Sequence, residues 1–224
     1  MLQVSANGHY QDSWYGTTPY DAVQRVLFGQ LYWRHRYAAR HDVLAGLAYR
    51  STFYDDNTPA TAIGEAPRTR NNAERRPLPG LFLQDEWSVS DRSVLLMGYR
   101  LDHDRDHGLV HSPRLAFKHA PSGRFTLRAH AGTGYRVVNL FTEEHAALTG
   151  ARTVVIAEDL LPERSWNASL NAVRKWPGEK RFIGLDASLF VTRFSNRILP
   201  DYDTDPDLIV YRNLDGYGIA QGAS

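Results

Sequence analysis

The chain has 224 residues, 42% of them apolar, which is enough for one large domain or two small ones. Its 26 basic and 25 acidic residues nearly cancel, arguing against a general binder of nucleic acid or anionic surfaces, and the lack of cysteine removes disulfides, thiol nucleophiles and Cys-ligated metals. No apolar run approaches the roughly 18 residues of a membrane helix, so a helical membrane protein is excluded; a membrane β-barrel, whose strands merely alternate, is not.

The opening "MLQVSANGHY" lacks the basic-then-apolar order of a signal peptide, and a strand is predicted over 2–14. Strands over 22–37 and 42–54 follow. The next segment, 55–79, reads as a long loop containing "RTRNNAERRP", where Arg68, Arg70, Arg75 and Arg76 outweigh Glu74. Such a loop is either simply solvated or attracts an anion, a ferric siderophore or a lipopolysaccharide phosphate.

Strands are predicted over 80–90, 93–104 and 109–119. In "SVLLMGYRLDHD", Leu95, Met97, Tyr99 and Leu101 share one face, and Gly98, Arg100 and Asp102 the other. The cluster His103, Asp104, Asp106, His107 and His111 looks at first like a ligand set. Nothing in the sequence supplies the second shell a metal site needs, and it reads as a solvated hairpin tip. Pro113, inside the returning strand, predicts a bulge or a gap in pairing. The strand over 123–136 is the clearest alternation: Arg124, Thr126, Arg128, His130 and Arg136 on one parity, Phe125, Leu127, Ala129, Ala131 and Tyr135 on the other.

A long loop, 137–162, leads to strands over 163–176 and 180–196. Glu143 and Glu144 beside His145 fall in that loop and do not form a convincing acid–base pair. In "PDYDTDPD", Asp201, Asp203, Asp205 and Asp207 are spaced like the start of a calcium loop. Pro206 and Arg212 stand where an EF-hand needs Gly and Glu, so the choice lies between an irregular calcium site and an Asp-capped acidic loop. The last strand is predicted over 207–221.

Most of these ten strands exceed ten residues, against five or six in soluble sheets; tilted, they match the height of an outer-membrane hydrocarbon layer. Short links alternate with longer ones, as in a meander with turns at one end and loops at the other. Trp14, Tyr15, Trp33, Trp87, Trp166 and Trp176 sit near strand ends, where barrels carry aromatic girdles. No G-x-S-x-G, H-E-x-x-H or phosphate-loop motif occurs, so an enzyme is not expected.

The segments "GLFLQDEW" (80–87), "GYRLDHDRDHGLVHSPRLAFKHAPSGRFTLRAHAGTGYRVVNLF" (98–141), "LLPERSWNASLN" (160–171), "DASLFVTRFSNRI" (186–198) and "YRNLDGYGIAQG" (211–222) resemble the TonB-dependent outer-membrane receptors. Their order and spacing carry the resemblance; residues 1–79 match only in style. The resemblance implies a 22-stranded barrel of the bacterial outer membrane with a plug domain inside. This chain has room for about ten strands and shows no plug, TonB box or C-terminal strand ending in an aromatic. The expectation is therefore an all-β, antiparallel meander: residues 1–224 as one incomplete, open segment of that barrel domain, from a truncated or cut chain. A closed ten-stranded barrel is the numerical alternative.

The resemblance further implies uptake of a scarce ligand such as a ferric siderophore or cobalamin, with energy reaching the plug through TonB. Implied partners are outer-membrane lipid, the plug and remaining strands, and a small-molecule chelate; no nucleic acid and no cofactor are expected, apart from calcium in an outer loop. Arg100, Arg114, Arg124, Arg128, His130 and Arg136 are expected on the lumen face, holding the plug. Leu95, Met97, Leu115 and Leu127 are expected to face lipid, and the first and last strands to be unpaired edges. A porin-like passive channel and a secreted, non-transporting β-sheet binding protein are the competing readings.

Overall fold

The computed structural model describes residues 1–15, 18–57, 62–63, 70–71, 73–137, 152–179 and 181–224. Every helix or strand among them is a β-strand. In chain order these are β1 (Leu2–Tyr15), β2 (Thr18–Tyr37), β3 (His41–Asp56), β4 (Ala62–Ile63), β5 (Arg70–Asn71), β6 (Glu74–Ser90), β7 (Ser93–Asp104) and β8 (Gly108–Ser122). Then come β9 (Phe125–Arg136), β10 (Thr153–Ile156), β11 (Glu163–Pro177), β12 (Phe182–Asn196), β13 (Ile198–Asp201), β14 (Leu208–Asn213) and β15 (Gly218–Ala223). Ten form one sheet in the order β1-β2-β3-β6-β7-β8-β9-β11-β12-β15, each antiparallel to its neighbours. The sheet is open, with β1 and β15 as its two edges.

Directly opposed residues on antiparallel strands share a face, so the register traces both surfaces. One row runs Leu2, Leu31, Leu47, Leu81, Leu101. Another runs Met97, Leu115, Ala131, Ala168, Val191. The expected lipid-facing residues Leu95, Met97, Leu115 and Leu127 all lie on this apolar face, opposite Phe117, Leu115, Met97 and His119 respectively. The face is exposed: Leu31 at 55%, Leu115 at 47%, Leu189 at 56%. An apolar surface of that extent is incompatible with water and suits hydrocarbon.

Prolines explain where the sheet departs from the expected strand limits. β6 starts at Glu74, not 80, although it contains Pro77 and Pro79. Its pairing with β7 begins only at Gly80, so residues 74–79 are bonded to β3 alone and form a local edge, where proline is tolerated. Pro113 obeys the same rule: it pairs with Tyr99 of β7, while the β8–β9 ladder starts at Arg114. β1 and β2 also extend further than expected, to Tyr15 and from Thr18, with Pro19 near the start of its strand.

The expected last strand over 207–221 is two strands. Gly216, at φ 85°, lies in the break after Asp215. Leu208–Asn213 leaves the main sheet and joins β10 and β13 in the order β10-β14-β13. The β10–β14 pair is parallel, which departs from an all-antiparallel chain; it lies outside the ten-stranded sheet. This small sheet brings Ile198, Ile209 and Tyr211 against Tyr20, Ala22 and Tyr54, with Leu160 beside them, in a compact buried cluster. Tyr20 and Tyr54 occupy the polar parity of β2 and β3, so the cluster sits on the polar side of the wall, at its loop end. Their hydroxyls hydrogen-bond at 2.9 Å.

Candidate functional site

The polar face is a wall of cations laid flat against acceptors. Arg100 donates two hydrogen bonds of 2.7 Å to Asp102, two residues along the same strand, and Asp102 is 7% exposed. Arg34 pairs with Asp42 across the β2–β3 ladder at 2.5 and 2.7 Å. Arg114 reaches over Gly98 to Gln84, and Arg128 donates to Asn171 Oδ1 at 3.1 Å; both of these acceptors are neutral amides. Asn171 in turn donates to Asp186 at 2.6 Å and to Ser188 at 3.0 Å. Arg34, Asp42, Gln84, Arg100 and Arg114 contribute to the lining of a trough of about 640 Å³.

Glycines make this lateral packing geometrically feasible. A Cβ on Gly80 would stand 2.1 Å from Asp102 Oδ1, and one on Gly98 2.6 Å from Arg114 Nε. The absent side chains are the space into which the neighbouring strand's charged groups fold.

At the loop end of the wall Arg136 donates to Glu163 at 2.8 and 3.0 Å. Arg76 bonds Glu74 and approaches Asp104 at 3.7 Å and Asp106 at 3.5 Å. Asp104 is 1% exposed because its Oδ1 accepts the backbone N–H of Asp106 at 3.0 Å and of His107 at 3.1 Å. The hairpin tip is thus an Asp-capped turn closed by Gly108, at φ 71°. The two longer contacts of Arg76, to Asp104 and Asp106, are made by its Nη1, which is buried and forms no hydrogen bond among the described residues.

Of the four arginines read together as one anion cluster, the two described in the sheet, Arg75 and Arg76, divide by strand parity. Arg76 is on the polar face, opposite Thr52; Arg75, opposite Phe53, is on the apolar one. Arg68 and the side chain of Arg70 lie outside the described residues. Among the residues expected on the lumen face, Arg100, Arg114, Arg128, His130 and Arg136 share the polar parity, through pairs such as Arg114 with Gly132 and His130 with Ser169. Arg124 precedes β9, in the turn, its carbonyl accepting the N–H of Lys175. Glu143, Glu144 and His145 lie outside the described residues.

Asp201, Asp203 and Asp205 are not gathered round a common point. Asp201 Oδ1 accepts the N–H groups of Asp203 and Thr204, both at 3.0 Å, and its Oδ2 accepts Thr204 Oγ1 and Arg212 Nη2, both at 2.6 Å. Asp205 caps Asp207 at 2.8 Å. Among the described residues no group of three or more His, Asp or Glu is placed to hold a metal ion. The Thr204 hydroxyl, then the two backbone N–H groups and Arg212, hold the Asp201 carboxyl down to about 2. A depressed folded pKa gives stability that is present above the unfolded value of about 3.9 and lost as pH falls through the folded one. The loop is therefore expected to hold from neutral pH to about 4 and to loosen between about 4 and 2. A carboxyl-carbon NMR titration of Asp201 checks this; a midpoint near 4 would mean that these bonds are not made in solution.

Sequence reasoning missed Glu74, Gln84, Asn171 and Glu163 as acceptors, and Gly80 and Gly98 as spaces. Apart from Glu74, two residues from Arg76 on the same strand, each depends on which residues stand across the ladder.

A family profile described as "TonB dependent receptor-like, beta-barrel" matches residues 2–223. The iron-regulated outer membrane virulence protein of Vibrio cholerae serotype O1 is 32% identical over 92 residues, 40% of this chain and 14% of that protein. Two receptors from Pseudomonas aeruginosa share the fold. The siderophore receptor PirA superposes with a TM-score of 0.66 at 15% identity, over 99% of this chain and 46% of its own. The ferric enterobactin receptor PfeA, as a mutant in complex with enterobactin, gives 0.66 at 16%, over 99% and 37%. A copper transporter, OprC, superposes as well, at 0.67 and 14%, over 99% and 39%. The chain thus spans 14% of the length of its Vibrio relative and less than half of these solved structures. With its antiparallel meander, its lipid-compatible outer face and its profile match from residue 2 to 223, the chain belongs to the TonB-dependent receptor β-barrel family of the bacterial outer membrane.

Proposed function

We propose that this chain forms part of the wall and outer vestibule of a receptor that takes up an anionic ferric chelate of the siderophore class. The observation that carries the reading is Arg76: a guanidinium at the loop end of the polar face whose buried Nη1 makes no hydrogen bond among the described residues and has only the longer ion-pair contacts to Asp104 and Asp106. An incoming carboxylate, catecholate or hydroxamate oxygen supplies an acceptor, and a charge-assisted hydrogen bond there is stronger than one between neutral groups. Arg68 and Arg70, close in sequence, extend the positive charge. The iron-regulated Vibrio relative supports iron as the cargo. OprC cautions that the fold alone does not choose the metal.

In this reading the flat-lying cations of the wall seat a plug domain. Arg114 and Arg128, whose partners are amides, offer net charge to carboxylates of that plug. TonB acts on the plug, not on this wall, and the ligand passes where the plug yields.

The test uses the intact receptor with Arg68→Gln, Arg70→Gln and Arg76→Gln combined. Binding of a ferric siderophore, followed by tryptophan quenching, is expected to fall roughly tenfold or more, the scale of one lost charged hydrogen bond. Arg75→Gln, on the outer wall, is expected to leave it unchanged. Unaltered siderophore binding in the triple variant, or cobalamin binding in its place, overturns the reading.

A further inference from the structure

We propose that Arg25 and Arg75 form a phosphate clamp on the outer wall that binds a phosphorylated glycolipid of the outer leaflet. One row of directly opposed residues crosses four strands of the apolar face: Gly8, Arg25, Phe53, Arg75. The two guanidinium carbons each lie 5.8 Å from the Phe53 ring centre, one to either side in the row, and Arg25 is also 5.9 Å from Tyr10. Both arginines are exposed, and neither is within salt-bridge distance of a carboxylate among the described residues. Two cations with no carboxylate in ion-pair range among the described residues, on a largely apolar, lipid-facing surface, need a counter-charge, and the aromatic ring between them holds them apart as a fork.

Their height on the wall identifies the counter-charge. From Arg25 the same face of β2 continues through Leu27, Gly29, Leu31 and Trp33 to His35. Ten residues at about 3.3 Å each, tilted 35–45°, rise about 23–27 Å, the thickness of the apolar band of an outer-membrane barrel. Trp33 stacked on His35, and Trp87 stacked on His41, mark the far interface. Arg25 and Arg75 therefore stand at the headgroup level of the leaflet on the loop side.

The surroundings separate a lipid phosphate from a dissolved one. Further out on the same face come Asp55, opposite Val23, and then Asp12 opposite Asp21. An anion arriving from the medium meets these carboxylates first. A phosphate whose acyl chains lie along Leu27, Leu31 and Leu47 reaches the guanidinium groups from below. The clamp is independent of the chelate site, because strand parity puts Arg75 and Arg76 on opposite sides of the wall.

The experiment is native mass spectrometry of the intact receptor in detergent, titrated with bis-phosphorylated lipid A. The wild-type protein is expected to retain it, and Arg25→Gln/Arg75→Gln to bind it roughly tenfold more weakly or worse. Arg25→Lys/Arg75→Lys, which keeps charge but loses the fork, should fall between. Dephosphorylated lipid A should bind wild type and double variant equally weakly, and millimolar inorganic phosphate should not displace the lipid. Heat-modifiable migration confirms folding, and the two single Gln variants serve if the double one fails it. Equal retention by the Gln variants, equal binding of dephosphorylated lipid A to the wild type, or displacement by inorganic phosphate each overturns the proposal.

Discussion

Leu115→Arg will destabilise the intact barrel by about 2–4 kcal/mol, the range for a cation at the bilayer midplane on the lipid side of a barrel. Leu115 is central in its band: on β8 it stands four residues from His111 and four from His119. His111 is bonded to the Tyr99 hydroxyl and His119 to Ser93, so polar groups mark both limits of the band. The residues directly opposite Leu115 are Met97 and Ala131, neither able to take a charge. Met97→Arg will be milder, although Met97 is the immediate neighbour. Asp85 lies opposite Met97 on the same face, paired with His41 at 2.7 Å, and can accept a new guanidinium. Leu127→Arg, opposite His119 near the turn end, will be milder still, because the penalty falls toward the interface. Reversible urea unfolding in phospholipid vesicles measures the order. If Leu115→Arg equals the wild type, the apolar face is not a lipid face.

That order was half legible in the sequence. Period-two alternation placed Leu95, Met97, Leu115 and Leu127 on one surface, because a β-strand has only two faces and parity decides between them. Parity also separates Arg75 from Arg76, which the local density of arginines does not by itself convey. Register is another matter. That Asp85 softens one site and not the next depends on which residues stand opposite, and ladder pairings are properties of two distant segments. Pro77 and Pro79 looked like loop residues because a central strand cannot accept them; that β7 pairs with β6 only from Gly80 onward is a fact about the neighbour. The break of the last strand had a local sign, the Asp215–Gly216 pair, but the capture of Leu208–Asn213 by a separate sheet did not. The aspartates of 201–207 show the same limit. Their spacing permits a cation loop or a capped turn, and only the direction of the N–H groups of Asp203 and Thr204 distinguishes them.

Gly80→Val will cost the intact receptor roughly 3–5 kcal/mol, more than its small volume suggests. The new Cβ would stand 2.1 Å from Asp102 Oδ1 and 3.2 Å from the carbonyl oxygen of Leu101. The carbonyl belongs to the β7 backbone and is held by the ladder, so the Asp102 side chain must yield. It has little room, being 7% exposed, and leaving means losing two 2.7 Å bonds from Arg100. A hydrogen bond to a charged group contributes about 1.5–3 kcal/mol, and overpacking adds about 1–3. The better strand propensity of valine returns at most about 1. Gly80→Ala brings the same first atom with less bulk and should fall between valine and wild type. Gly80→Val/Asp102→Ala separates the causes. If the clash dominates, removing the carboxylate recovers most of the loss. If the ion pair dominates, the double variant stays as unstable as the single one, with Arg100 unpaired in both. Unfolding midpoints of the three proteins in the same vesicles decide between these outcomes. A Gly80→Val barrel as stable as the wild type would mean that Asp102 does not lie across Gly80. Arg100 would then be free to reach out from the polar face, instead of being held flat against the wall.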